Sequence, residues 1–244
     1  MQPAAAYQRD LKKHAFVADP AQKQAVDALQ QLYDDLIADR YRQRMFLGRL
    51  YRRITGSATK PVRGLYIWGS VGRGKTWLMN LFYEALPFDE KLRLHFHQFM
   101  IGVHEKLAER VGVKNPLQRI ASDFARKYRV LCLDEFIVTN ITDAMLLSGL
   151  FEALFSNGVT LVATSNRIPD DLYKNGLQRD RFVPAIALIR QYTRVLHMDG
   201  ATDHRIALLE QDNVYYTPIT ADTGNRLLER MHSLAPGAIS RNRV

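Results

Sequence analysis

A glycine-rich loop between an apolar strand and an amphipathic helix constrains this 244-residue chain more than any other feature. The apolar residues 65–68 have the pattern of a buried strand, and residues 76–82 have the apolar spacing of a helix. The loop between them fits the pattern G-x-x-x-x-G-K-[ST] and reads Gly69-Ser70-Val71-Gly72-Arg73-Gly74-Lys75-Thr76. Such a loop turns consecutive backbone N–H groups inward, and the helix that follows adds the positive end of its dipole. The sequence therefore predicts an α/β fold with a phosphate-binding loop.

The residues of this loop have separate roles in holding ATP and Mg²⁺. Lys75 places a positive charge against the β- and γ-phosphates, and the Thr76 hydroxyl is a ligand for the metal. The backbone around the phosphates is supplied by Gly69, Ser70, Val71, Gly72, Arg73 and Gly74. ATP and Mg²⁺ are therefore the predicted ligands.

Apolar runs of strand length alternate with longer helical patterns after the loop. The predicted strands are residues 92–97, 130–133, 159–163 and 194–198. Asn140 followed three residues later by Asp143 resembles a capping box at the start of one helix. The alternation predicts a parallel sheet with helices on both faces.

Polar residues at the ends of two predicted strands complete a hydrolytic site. Asp134 and Glu135 directly follow an apolar strand, which delivers them to the edge of the sheet where ligands bind. Asp134 is predicted to hold Mg²⁺, and Glu135 to polarise the attacking water as a general base. Asn166 follows the next strand and helps to orient the water if that strand lies between the loop strand and the Asp134 strand. An ordinary polar turn is the alternative at Asn166.

Arginines after these strands are candidates for contact with the γ-phosphate. One of Arg179 and Arg181 is predicted to be a catalytic arginine finger, and the sequence does not choose between them. The alternative is a solvated pair or an ion pair with Asp180. Arg205 follows the last strand and could contact the nucleotide.

Three histidines, His95, His97 and His104, superficially suggest a metal site, because His95 and His97 would share a face of a strand. No cysteine or pair of carboxylates near them completes a ligand set. Polar packing close to the following helix is therefore the expected role of these side chains.

Composition further restricts the class of protein that this chain can be. Hydrophobic residues make up 47% of the chain, enough for a sizeable core, and no apolar run approaches the roughly 20 residues of a membrane span. The N-terminal 13 residues lack the apolar stretch of a secretory signal, and the one cysteine, Cys132, lies in an apolar strand. These features predict a cytoplasmic protein with a buried thiol.

The formal net charge of +9 indicates an acidic partner, and much of it lies in residues 40–53. That stretch contains no acidic residue and six arginines, namely Arg40, Arg42, Arg44, Arg49, Arg52 and Arg53. Apolar residues alternate with them as in an amphipathic helix. Two interpretations stay open: attachment to an anionic membrane surface or an acidic polymer, and a helix packed on the protein with a solvated basic face.

The order of these motifs resembles the AAA+ class of ATPases, and the local sequences resemble the ZapE family of bacterial cell-division ATPases and its mitochondrial relatives. The segments that carry the closer resemblance are Gly64-Leu65-Tyr66-Ile67-Trp68, His95-Phe96-His97, Leu133-Asp134-Glu135-Phe136, Ile141-Thr142-Asp143-Ala144-Met145, Ala163-Thr164-Ser165-Asn166 and Asn175-Gly176-Leu177-Gln178-Arg179. The resemblance covers residues 19–205.

This resemblance implies a five-stranded sheet in the order 5-1-4-3-2 and a cytoplasmic ATPase of the division ring that, with ATP, destabilises polymers of FtsZ. Glu135 beside Asp134 and the pair Arg179 and Arg181 additionally predict a homo-oligomer that is active in trans. The expected division is a helical N-terminal region at residues 1–60, an ATPase core at 61–202 and the start of a lid at 203–244. Relatives continue past residue 244, so the lid is expected to be incomplete.

Three alternative functions are less well supported by the sequence. The runner-up is a DNA-associated AAA+ protein of the helicase-loader type, which the positive charge favours. A scaffold that binds nucleotide without hydrolysis is disfavoured because no catalytic element is missing. A GTPase is disfavoured because the chain contains no Asn-Lys-x-Asp motif.

Overall fold

The computed structural model describes residues 1–14, 19–44 and 60–198. These residues form a parallel sheet and the helices that pack around it. The strands are β1 (Gly64–Trp68), β2 (Lys91–His95), β3 (Val130–Asp134), β4 (Thr160–Ser165) and β5 (Thr193–His197). The helices are α1 (Pro3–His14), α2 (Pro20–Arg44), α3 (Lys75–Ala85), α4 (Phe96–Ala108), α5 (Pro116–Lys127), α6 (Ile141–Ser156) and α7 (Val183–Tyr192). Short 3₁₀ turns lie at Pro169–Asp171 and Arg179–Arg181.

The five strands form one sheet in the order β2-β3-β4-β1-β5, and every pairing is parallel. This confirms the predicted order 5-1-4-3-2. β1 lies between β4 and β5, and β4 lies between β1 and β3. The carboxyl ends of β1, β3 and β4 therefore meet at one edge of the sheet, where the phosphate-binding loop, Asp134 and Asn166 follow them.

Both faces of the sheet are covered by helices, as predicted. On one face, Leu65, Ile67 and Cys132 pack in a core with residues of α1, α2 and α3. On the other face, Tyr66 and Leu133 pack with residues of α4, α5, α6 and α7. Alternate residues of each central strand therefore enter different cores, which explains why these strands are apolar without interruption.

The helices α1 and α2 belong to the same compact unit as the sheet. Asp19 caps the start of α2, because its Oδ1 accepts a hydrogen bond from the backbone N–H of Ala21 at 2.7 Å. The capping interaction predicted at α6 is confirmed, since Asn140 Oδ1 accepts from the N–H of Asp143 at 2.7 Å. None of the helices among the described residues is long and apolar enough to cross a membrane.

Several predictions concern residues that the structure does not describe. Residues 45–53 of the basic stretch, Arg205 and the expected lid at 203–244 lie outside the described ranges. The division into an N-terminal region, a core and a lid stays a prediction. In the described part of the basic stretch, Arg40 donates to Glu90 at 2.8 Å and lies 4.8 Å above the ring of Phe88. The side chain of Arg40 is therefore engaged in contacts within the protein.

The prediction of a single strand over residues 92–97 was wrong. β2 ends at His95, and α4 begins at Phe96. The buried residues that follow are Phe96, Phe99, Met100 and Val103, whose spacing is helical. His97 therefore lies on the first turn of a helix and does not share a strand face with His95.

Candidate functional site

The loop between β1 and α3 has the backbone of a phosphate-binding loop. Gly69, Gly72 and Gly74 have φ angles of 154°, 84° and 83°, a region that side chains disfavour. A Cβ at Gly69 would also lie 2.3 Å from the carbonyl oxygen of Met198, the residue that follows β5. Glycine at position 69 thus lets the loop pass close to the neighbouring strand.

Lys75 begins α3 and points back into the loop. Its side chain is buried, and Nζ donates to the carbonyl oxygens of Gly69 and Ser70, both at 2.7 Å. These contacts hold the ammonium group inside the ring of loop backbone. The predicted phosphate contact of Lys75 is consistent with this position, because the charge already lies within the loop.

Gln22, from the first turn of α2, supports the loop from the side of the N-terminal helices. It is buried, and its Nε2 donates to the carbonyl oxygen of Arg73 at 3.1 Å. The hydroxyl of Tyr7 on α1 lies 3.5 Å from Gln22 Oε1. Sequence reasoning missed this contact, because a glutamine in a first helical turn carries no distinctive signal.

Asp134 is the last residue of β3 and is buried. Oδ1 accepts from the hydroxyl of Thr164 at 3.2 Å, and Oδ2 accepts from Arg93 Nε at 2.6 Å. The Thr164 oxygen also accepts from the backbone N–H of Glu135 at 3.3 Å. Both carboxylate oxygens are thereby fixed by side chains from the two strands that flank β3.

Arg93, from β2, was missed by the sequence reasoning although it is central to the site. Its Nη1 donates to Asn80 Oδ1 at 2.6 Å, and its Nη2 to the carbonyl oxygen of Thr76 at 3.3 Å. One guanidinium group therefore contacts both residues predicted to hold Mg²⁺, Thr76 and Asp134. The available signal was a charged residue between Leu92 and Leu94 in a predicted strand.

The oxygen donors brought together here fit Mg²⁺, which prefers carboxylate, hydroxyl and phosphate oxygens. Thr76 and Asp134 are close enough for one arginine side chain to contact both. Among the described residues there is no group of three or more histidine, cysteine or acidic side chains of the kind that holds a metal by protein ligands alone. Thr76 and Asp134 are therefore the residues that would hold Mg²⁺ here.

Glu135 projects from the sheet edge between two anchored neighbours. Asp134 before it is buried, and Phe136 after it is buried with its N–H donating to the carbonyl of Thr164 at 2.7 Å. Glu135 itself has a φ of 53°, in the left-handed region, and its side chain is 68% exposed. Its Oε2 lies 4.0 Å from His95 Nδ1, a solvated contact that contributes little to stability. The local backbone thus presents the carboxylate on the open side of the site.

Asn166 follows β4 and is exposed at the same edge of the sheet. The condition on which its predicted role depended, a place for β4 between β1 and β3, is met. Its contact with a nucleophilic water stays a prediction.

The two candidate arginine fingers differ in their surroundings. Arg179 donates to the carbonyl oxygens of Leu172 at 2.7 Å and Asp170 at 2.5 Å. Arg181 is exposed, and its side chain has no hydrogen-bond or ion-pair partner among the described residues. Arg179 therefore braces the turn that carries the pair, whereas the Arg181 side chain is exposed to solvent.

The remaining histidine and the cysteine have structural partners. His104 Nε2 lies 2.6 Å from Asp143 Oδ1, so it links α4 to the start of α6. Burial raises the pKa of the Cys132 thiol to about 12, with Asp134 adding to the effect. The thiol is therefore protonated at neutral pH and packs as an apolar side chain.

The sheet order, the loop after β1 and the Asp134-Glu135 pair after β3 define the chain as a P-loop protein of the AAA+ class. Solved structures share this fold at low sequence identity. AMPPCP-bound DnaA from Aquifex aeolicus has a TM-score of 0.51 and 16% identity over 88% of this chain and 58% of that one. Domain III of the Thermotoga maritima replication initiation protein DnaA has a TM-score of 0.50 and 17% identity, covering 93% and 75% of the two chains.

The chain belongs to the AFG1-like ATPase family, whose family model matches residues 1–243. It is 46% identical to the cell division protein ZapE of Escherichia coli strain K12 over 241 residues, which are 96% of this chain and 64% of that protein. It is 40% identical over 191 residues to the lactation elevated protein 1 homolog B of Danio rerio, covering 73% of this chain and 38% of that protein. The resemblance to the ZapE family is confirmed, and the chain spans less than two thirds of the length of these relatives.

Proposed function

We propose that this chain binds ATP with Mg²⁺ and hydrolyses it. The observation that carries the proposal is the placement of Glu135, an exposed carboxylate that follows the buried Asp134 at the edge of the sheet from which the phosphate-binding loop also leaves. The phosphate-binding loop would be enough for a protein that only binds nucleotide. A carboxylate on the open side of the site is what activation of water requires.

Each proposed step is assigned to a residue of this chain. The loop backbone and Lys75 bind the β- and γ-phosphates, while Thr76 and Asp134 hold Mg²⁺, which neutralises charge on those phosphates. Glu135 orients the attacking water and accepts its proton. Asn166, at the neighbouring strand end, positions the same water.

Arg181 is proposed to act on the site of a second copy of this chain. Its side chain is exposed and has no hydrogen-bond or ion-pair partner among the described residues, which supports a role between molecules. A guanidinium at the γ-phosphate of a neighbouring copy stabilises the charge that develops during transfer. Arg179 supports the turn on which Arg181 lies.

The proposed target of ATP hydrolysis is a polymer of FtsZ, and the proposed location is the cytoplasm at the division site. This part of the proposal is supported by family membership and by the 46% identity to a cell division protein. Attachment through the arginines of residues 40–53 is a further prediction, carried by those other than Arg40, because Arg40 binds Glu90.

One variant tests both the chemistry and its target. In Glu135→Gln we expect ATP binding to persist and turnover to fall by about 10²-fold or more, because the general base is lost while the phosphate contacts remain. Steady-state phosphate release and binding of a fluorescent ATP analogue measure the two effects. The wild-type protein with ATP should lower the light scattering of preformed FtsZ polymers, and Glu135→Gln should not.

Glu152→Gln is the matched control, because Glu152 is an exposed glutamate on α6 away from the site. It should hydrolyse ATP as the wild type does, and Lys75→Ala should lose ATP binding. Wild-type turnover in Glu135→Gln would contradict the ATPase proposal. Active hydrolysis with unchanged FtsZ scattering would remove the target alone, and salt-sensitive DNA binding in its place would favour the helicase-loader alternative.

A further inference from the structure

Arg93 compensates the charge of Asp134 inside the protein. The Asp134 side chain is 4% exposed, and the Arg93 side chain is 19% exposed with Nε 2.6 Å from Asp134 Oδ2. A carboxylate this deeply buried is unfavourable without a nearby positive charge. The other Asp134 oxygen accepts only from the neutral hydroxyl of Thr164 among the described contacts.

The same guanidinium also contacts the other residue proposed to hold Mg²⁺. Arg93 also donates to the carbonyl of Thr76, the residue whose hydroxyl is the second proposed ligand of Mg²⁺. Two cations at one carboxylate repel each other, so Arg93 would oppose the binding of a metal to Asp134.

The structure also provides a place for Arg93 after it leaves Asp134. Asn80 Oδ1 at 2.6 Å and the Thr76 carbonyl at 3.3 Å both belong to α3, and neither depends on the carboxylate. β2 is an edge strand of the sheet, which leaves one side of Arg93 partly open to solvent. The guanidinium can therefore give up one hydrogen bond and keep two.

We propose that Arg93 is a built-in counter-ion that Mg²⁺ displaces from Asp134, so that Arg93 sets the metal concentration at which the site is loaded. The proposal rests on the proposed function, because it takes Asp134 as a ligand of the metal. Arg93 is a positioning residue that acts through Asp134. Its removal is expected to strengthen metal binding, which is the opposite of what loss of a supporting contact would do.

The test is a Mg²⁺ titration of the wild type and of Arg93→Gln with a non-hydrolysable ATP analogue, followed by calorimetry. Arg93→Gln should bind Mg²⁺ about tenfold more tightly, because a like charge beside the metal is gone. Without metal the variant should melt at a lower temperature than the wild type, and Mg²⁺ with the analogue should raise its melting temperature by more. Arg93→Lys keeps the charge and should stay within about twofold of the wild-type affinity.

Arg129→Gln is the matched control. Arg129 pairs with Asp39 at 2.5 Å, and the two side chains are 25% and 19% exposed, but neither lies at the phosphate-binding loop. This variant should lose stability without any change in Mg²⁺ affinity. Unchanged or weaker Mg²⁺ binding in Arg93→Gln would overturn the proposal for Arg93, whereas a wild type that binds the analogue without any dependence on Mg²⁺ would refute the proposed function instead.

A measurement on the wild type covers the case in which Arg93→Gln fails to fold. The Nε–H of Arg93 in a protein labelled with ¹⁵N-arginine should shift, and exchange faster with water, when Mg²⁺ and the analogue are added, since its carboxylate partner is withdrawn. A resonance that keeps its position and its protection would overturn the proposal.

Discussion

Asp134 and Glu135 are adjacent carboxylates that the backbone places in opposite environments. Asp134 ends β3 in the interior, whereas the positive φ of Glu135 turns its side chain outward before Phe136 returns to the core. The sequence predicted both residues and their different roles, because an apolar strand that runs into two acids is a local pattern. The side chains that hydrogen-bond to Asp134 were not predicted, since Arg93 and Thr164 are 41 and 30 residues away in the chain.

At the residue scale, the two candidate fingers should separate into a catalytic and a structural arginine. Arg181→Ala should lower turnover by about 10³-fold and leave the melting temperature unchanged, because its exposed side chain has no hydrogen-bond or ion-pair partner among the described residues. Arg179→Ala should reduce the free energy of unfolding by about 2 kcal/mol, because two hydrogen bonds from a charged group to backbone carbonyls are lost. Phosphate release and thermal melting measure the two effects.

The opposite result is equally clear. A fully active Arg181→Ala protein would remove Arg181 as the finger. If Arg179→Ala abolished turnover at wild-type stability, the assignment would pass to Arg179.

At the scale of elements, α2 joins the N-terminal region to the phosphate-binding loop. Its first turn contacts the loop through Gln22, and near its other end Arg40 pairs with Glu90. The prediction that the N-terminal region is helical was correct for this segment, which begins at Pro20. Its contact with the loop depends on how the helix packs on the sheet, which no local pattern contains.

Gln22→Ala should weaken ATP binding by about three- to tenfold, because the carbonyl of Arg73 loses its donor and the loop becomes less ordered before it binds. Binding of a fluorescent ATP analogue measures the change. Gln30→Ala is the matched control: Gln30 Oε1 accepts from the N–H of Ala4 at 3.1 Å, so it also joins α2 to α1 but away from the loop. Equal losses of affinity in both variants would show that general loosening of the helices, and not the loop contact, is responsible.

At the scale of the whole molecule, the proposed site is shared between copies, and mixing inactive variants tests this. Lys75→Ala keeps Arg181 but cannot hold ATP, whereas Arg181→Ala holds ATP but lacks the finger. An equimolar mixture should recover about a quarter of the wild-type turnover per subunit if fingers act between neighbours and the copies assemble at random. Steady-state phosphate release of the mixture, compared with each variant alone, measures the recovery. A mixture no more active than its components would place the finger and the nucleotide in the same copy or refute the assembly.

The sequence by itself determined the phosphate-binding loop, the strands, the acidic pair and the class of protein, because each of these is written in a few consecutive residues. It was wrong about the end of β2, where the apolar run continues from strand into helix without a break. The tertiary structure alone decided that Arg93 faces Asp134, that Gln22 faces Arg73 and that Arg179 is occupied by backbone carbonyls. The first two contacts join residues 41 and 51 positions apart, and they form because β2 lies beside β3 and α2 packs against the loop. Local patterns therefore specified which groups are predicted to carry the chemistry, and packing of distant segments specified which charges and hydrogen bonds hold those groups in place.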